Sequence, residues 1–72
     1  MATFGERLNH LRKSRGLKAE ELTEAIGLKR RIIFHYEKNE AKPSFDILIR
    51  LADFFDVSLD YLVGRSDDPH RR

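Results

Sequence analysis

Cysteine is absent from the chain. Disulfides and thiolate metal sites are therefore excluded, and nothing points to an oxidising compartment. No uninterrupted apolar run is longer than Ile32–Phe34, far short of the roughly 20 residues that a membrane-spanning helix needs. The first residues lack the basic-then-apolar pattern of a secretory signal, because Thr3, Gly5 and Glu6 stand where greasy residues would be required. There is no glycine-rich phosphate loop. His10, His35 and His70 have no His-x-x-Glu-His spacing and no cysteine company, so no metal is expected. The carboxylate pair Asp67-Asp68 falls in a polar stretch where nothing can tune its pKa. Almost nothing here supports an enzyme, and no cofactor is implied. A cytoplasmic protein is the expectation.

What is present fits one small domain. The chain has 72 residues, 40% hydrophobic and 36% charged. That length is close to the lower limit at which a hydrophobic core alone holds a fold. Net charge is only +2, but the distribution is polarised. Residues 7–42 carry ten Lys or Arg against five Glu, whereas residues 43–64 carry one Arg against four Asp. A basic face for a polyanion has this form, and so does an uneven scatter of surface charge.

Local signals divide the chain into five helices. Thr3 and Glu6 form a capping box, and Phe4, Leu8 and Leu11 share one face. Arg12, Lys13 and Arg15 suit the negative end of the first helix, which Gly16 closes. A second helix is expected over about 19–26, with Leu22, Ala25 and Ile26 inward and Gly27 as its stop. A third follows over about 30–38, with Ile33 and Tyr36 facing the core. Ser44 reads as the N-cap of a fourth helix, 45–55, and Ser58 as the N-cap of a short fifth. Residues 65–72 are polar and read as a flexible tail or the start of a linker, leaving 1–64 as the domain.

The stretch Leu17 to Glu37 carries the most information. Two short helices are joined by Gly27-Leu28-Lys29, and a three- to four-residue turn containing glycine is the helix-turn-helix signature. Ala25, just before the turn, is placed where the two helices would come closest.

At this point the sequence resembles the Cro/cI-like repressors, the xenobiotic-response-element type of bacterial and phage regulators. The residues that carry the likeness are Glu6-Arg7-Leu8, Leu11-Arg12, Gly16-Leu17, Glu21-Leu22, Ala25, Gly27-Leu28, Ile33 and Tyr36-Glu37. They continue with Pro43-Ser44, Leu48, Leu51-Ala52, Phe55, Val57 to Leu62 and Gly64. The resemblance implies an all-α, five-helix bundle of the lambda-repressor-like DNA-binding type. It also implies a transcriptional regulator, more commonly a repressor, that binds double-stranded DNA in the cytoplasm, associated with the nucleoid. The third helix would enter the major groove. On this chain its reading positions are Lys29, Arg30, Arg31, Ile32 and His35. A guanidinium at Arg30 or Arg31 can bridge guanine O6 and N7, or serve only as a phosphate clamp. Ile32 can pack on a thymine methyl, while His35 stands one turn beyond Arg31 or has no role.

Phosphates would fall to Lys18 and Ala19 at the start of the second helix, and to Lys38, Asn39 and Lys42 after the third. The family often places a Thr or Ser cap and a Gln where this chain has Lys18 and Ala19, so one cap and one phosphate ligand are missing. Arg12 and Glu37 are implied to form a structural ion pair that orients the third helix. The resemblance also implies a homodimer on a palindrome, meeting around Phe54, Val57, Leu59 and Val63. Phe34, an exposed aromatic beside Ile32, keeps a second reading open: a helix-turn-helix module that binds protein, such as an antitoxin or adaptor with weakened DNA readout. Neither a membrane nor a metal partner is implied.

Overall fold

The computed structural model describes residues 2–29 and 31–71. Five helices follow in order: α1 (Phe4–Ser14), α2 (Ala19–Ile26), α3 (Ile32–Glu37), α4 (Phe45–Phe55) and α5 (Leu59–Leu62). No strand occurs among the described residues.

Each start has a local cause. At α1 the Thr3 hydroxyl accepts from the Glu6 N–H at 3.2 Å, and the Glu6 carboxylate accepts from the Thr3 N–H at 3.0 Å. Two orphan donors are thereby satisfied at once. Ser44 and Ser58 accept in the same way from Ile47 and Tyr61. Lys18 has no acceptor for this task. Glu21 supplies half a box instead, its carboxylate accepting from the Lys18 N–H at 2.8 Å.

The core draws on every helix. Leu8 and Leu11 come from α1, Ala19, Leu22 and Ile26 from α2, and Ile33 and Tyr36 from α3. Leu51, Ala52 and Phe55 of α4, Val57 and Leu62 complete it. Ala25 is exposed, which corrects the inward placement expected for it. The buried stripe of α2 is Ala19, Leu22, Thr23 and Ile26. At 100° per residue Ala25 lies about 110° from the centre of that stripe. The small residue at the helix start is Ala19, and Thr23 fits inside because its hydroxyl donates to the Ala19 carbonyl at 2.9 Å.

One glycine sets how α1 meets α3. A Cβ on Gly5 would lie 2.5 Å from the Glu37 carbonyl oxygen and 2.7 Å from that of Tyr36. Only a residue without a side chain lets the first turn of α1 lie against the end of α3.

Residues 65–72 are expected from sequence to form a flexible tail or the start of a linker, and residues 65–71 lie along α4 and α5. The Ser58 N–H donates to the Pro69 carbonyl at 2.9 Å. Arg71 pairs with Asp53 at 2.5 Å and with Asp56 at 3.6 Å. Arg7 is buried on α1, stacks 4.0 Å over the Tyr61 ring and pairs with Asp67.

Candidate nucleic-acid interface

The turn between α2 and α3 is made by the backbone. Gly27 takes φ +78°, a conformation open to glycine at no steric cost. Its N–H and that of Leu28 both reach the Thr23 carbonyl, at 3.0 and 2.9 Å, closing the end of α2. The Leu28 side chain packs on the core. Lys29 is left exposed.

Helix α3 is shorter than its sequence pattern, which extended over 30–38. It begins at Ile32, because Arg31 takes a left-handed conformation (φ +65°) and acts as the N-cap. Arg30 falls outside the described residues. The exposed side chains of this element are Arg31, Phe34, His35 and Lys38. Arg31, His35 and Lys38 follow at spacings of four and three, a single face. Ile32 is half-buried and packed against the core. It faces inward more than expected and offers the groove only part of its surface. Phe34 is 46% exposed. With Arg31, His35 and Lys38 it forms one lip of a groove of about 540 Å³, whose other lip is Ala19, Glu20, Thr23 and Glu24 of α2.

The orientation of α3 is held from beneath. Arg12 donates to both Glu37 oxygens, Nε to Oε2 at 2.6 Å and Nη2 to Oε1 at 3.0 Å. Its third nitrogen donates to the Leu17 carbonyl at 2.8 Å, at the entry to α2. Asn9 adds a bond to Glu37 Oε1 at 2.8 Å. The bond to Glu37 raises the pKa of the Arg12 guanidinium, against the opposing effect of desolvation. One arginine thus joins α1, the α1–α2 turn and α3.

The expected phosphate ligands are not equivalent in the structure. Lys18, Lys38 and Lys42 are exposed. Ala19 is buried, so it can offer a ligand only its main-chain N–H. The Asn39 side chain is already engaged: its oxygen accepts from the Gly5 N–H at 3.0 Å and its nitrogen donates to the Thr3 hydroxyl at 3.0 Å. With φ +58°, Asn39 ties the end of α3 to the start of α1.

The four residues of the expected dimer patch also divide. Phe54 and Leu59 are 36% and 38% exposed, and Val63 is half-buried. Val57 is a core residue at 5% exposure, which corrects its place in a surface patch. Its N–H donates to the Ala52 carbonyl at 3.0 Å, closing the end of α4, and its side chain joins the core. Phe45, at 69%, is the most exposed large hydrophobic residue, and the sequence reading had used it only to mark a helix start.

Two residues near the interface were not singled out from sequence. Glu40 accepts from His35, Nδ1 to Oε1 at 3.0 Å. Arg50 of α4 donates to the Ile26 carbonyl at 3.4 Å, at the end of α2. Glu40 lies in the turn after α3, and Arg50 on α4 in the acidic part of the chain. Neither has a local pattern that would have revealed its partner.

Among the described residues no cluster of metal-ligating side chains occurs, and no helix is long and apolar enough to cross a membrane. A helix-turn-helix family model matches residues 8–62. The chain is 44% identical over 66 residues to the uncharacterized HTH-type transcriptional regulator YobD of Bacillus subtilis (strain 168), covering 92% of this chain and 59% of that protein. It is 44% identical over 55 residues to a putative HTH-type transcriptional regulatory protein of Pyrococcus furiosus, covering 76% of this chain and 18% of that one. The chain therefore spans less than two thirds of the length of each of these relatives. A transcriptional regulator from Listeria innocua superposes with a TM-score of 0.81 at 40% identity, covering 86% of this chain and 58% of that one. The P22 c2 repressor, solved in complex with a synthetic operator, superposes at 0.84 with 26% identity, covering 92% of this chain and all of that one. Fold and family are those of transcriptional-regulator domains and not of enzymes. The chain belongs to the Cro/cI-type helix-turn-helix family and is a repressor-like DNA-binding domain of the lambda-repressor-like fold.

Proposed function

We propose that the chain represses transcription by binding a palindromic operator as a homodimer, with α3 in the major groove. The observation that carries this reading is the exposed row Arg31, His35 and Lys38 on one face of α3. Arg31 and His35 read base edges, joined by Lys29 and Arg30 before the helix and by the exposed edge of Ile32. Lys18, Lys38 and Lys42 hold phosphates, with the Ala19 N–H at the start of α2. Asn39 supports this surface by fixing the end of α3. The P22 c2 neighbour, crystallised with a synthetic operator, supports DNA as the partner.

The second copy meets the first through Phe54, Leu59 and Val63. Two-fold symmetry then places the two α3 helices about 34 Å apart, one turn of DNA. Selection of bound sites from a randomised duplex pool tests this reading. The expected result is a palindrome with half-site centres one helical turn apart. Enrichment of no site, or of an asymmetric one, would overturn it. Phe34, set in the groove beside Glu20 and Glu24, favours the second reading of a protein-binding module. That reading predicts no enrichment of any duplex.

A further inference from the structure

We infer that Glu40 is a specificity-determining positioning residue, which acts by fixing which ring nitrogen of His35 carries the proton. The inference rests on the proposal that His35 reads a base. The contact is His35 Nδ1 to Glu40 Oε1 at 3.0 Å. It is backed by the main chain, because the Glu40 N–H donates to the His35 carbonyl at 2.9 Å. Asn39, left-handed and bonded to Gly5 and Thr3, holds the turn that brings Glu40 under His35. The partner of Nδ1 is therefore placed by the fold and not only by a free side chain.

The chemistry follows from hydrogen-bond polarity. An ionised carboxylate only accepts, so Nδ1 must bear the hydrogen. In the neutral ring Nε2 then presents a lone pair. An acceptor in the major groove matches the amino groups of adenine N6 or cytosine N4. It mismatches guanine O6 and N7 and thymine O4, which also accept. Protonation of the ring reverses the match by making Nε2 a donor. The charged groups around the ring are Arg31 and Lys38 from its own element, Glu40 from the following turn, and Glu20 and Glu24 across the groove from α2. His35 thus reads an amino-bearing base when neutral.

Glu40→Ala and Glu40→Gln test this: alanine removes the acceptor, and the Gln amide can donate to Nδ1 as well as accept from it, so neither obliges Nδ1 to carry the hydrogen. Sites are selected from a randomised duplex pool with the full chain, its His35→Ala variant, Glu40→Gln and Glu40→Ala. The buffer is alkaline enough to keep imidazole neutral. The wild type should prefer adenine or cytosine by roughly three- to tenfold at one position per half-site. His35→Ala should erase that preference. Glu40→Ala should broaden the same position toward guanine or thymine, and Glu40→Gln should do so in part. Ring nitrogen shifts of His35 give an independent readout: Nδ1–H in the wild type, and a shift toward Nε2–H in Glu40→Ala.

If His35→Ala leaves the site unchanged, or both Glu40 variants keep the wild-type base at the position His35 reads, the inference fails while the operator reading stands. A His35 spectrum that does not change in Glu40→Ala overturns it equally. If the wild type enriches no duplex, the operator reading itself fails, and the inference with it.

Discussion

Glu37 receives Arg12 through two nitrogens at once, at 2.6 and 3.0 Å, and so fixes α3 to α1 from below. The side chains are only 12% and 8% exposed. Removing one partner strands the other in a place poorly served by water. Glu37→Ala or Arg12→Ala should cost about 3–5 kcal/mol in urea unfolding. The double variant should cost less than the sum of the two, the mark of direct coupling.

Asn39 separates two contributions that a single substitution would merge. Asn39→Ala loses both side-chain bonds and places at φ +58° a residue that tolerates the left-handed region less well than asparagine. About 2–3 kcal/mol should be lost. Asn39→Gly restores the backbone freedom and loses only the bonds, so it should fall short of the wild type by about 1 kcal/mol. Equal losses would show that the left-handed conformation is not a factor.

The core should respond at Ile33 more than at Ile32. Ile33 is fully buried, whereas Ile32 is half-buried. Ile33→Ala should cost about 2–5 kcal/mol, a large part of the stability of so small a domain. Ile32→Ala should cost less, as read by thermal unfolding of both variants.

Acid sensitivity has a named contributor at the start of α1. The Thr3 backbone N–H, and next the Thr3 hydroxyl, hold the Glu6 carboxyl below its ordinary pKa. A folded pKa lower than the unfolded one means that this contribution is present above the unfolded value. It is lost as pH falls through the folded value. Glu6→Gln keeps an acceptor for the Thr3 N–H but cannot titrate. Its stability, followed by circular dichroism, should therefore change less with acid than that of the wild type.

Much of the fold was legible because its causes are local. Thr3 with Glu6, Ser44 and Ser58 mark helix starts through bonds spanning three residues, and the apolar spacing of Leu8, Leu22, Leu51 and Phe55 marks the buried faces. The failures share a different cause. Ala25 was placed inward because it is small and near the turn, while Thr23 took the buried position through a bond to Ala19. Val57 was expected at a dimer surface from the family resemblance, yet the chain folds it into the core. The late start of α3 follows from the left-handed Arg31, which no propensity rule favours for arginine. Asn39 was expected at a phosphate, because its actual partners lie more than thirty residues away, where no local pattern points to them. The arrangement of Arg12 and Glu37 was expected only from the family resemblance, as nothing local links positions 25 residues apart.

The central claim is that the exposed face of α3 and the lysines around it bind DNA. Titrating affinity for the selected duplex against salt tests it most directly, with Arg31→Ala alongside. If several phosphates are neutralised, log affinity should fall linearly with log salt, losing orders of magnitude between about 50 and 200 mM. Arg31→Ala should weaken binding by roughly tenfold or more if it reads a base, with relaxed preference at that base. Absence of binding to every duplex at the lowest salt, or an affinity indifferent to salt, would contradict the account.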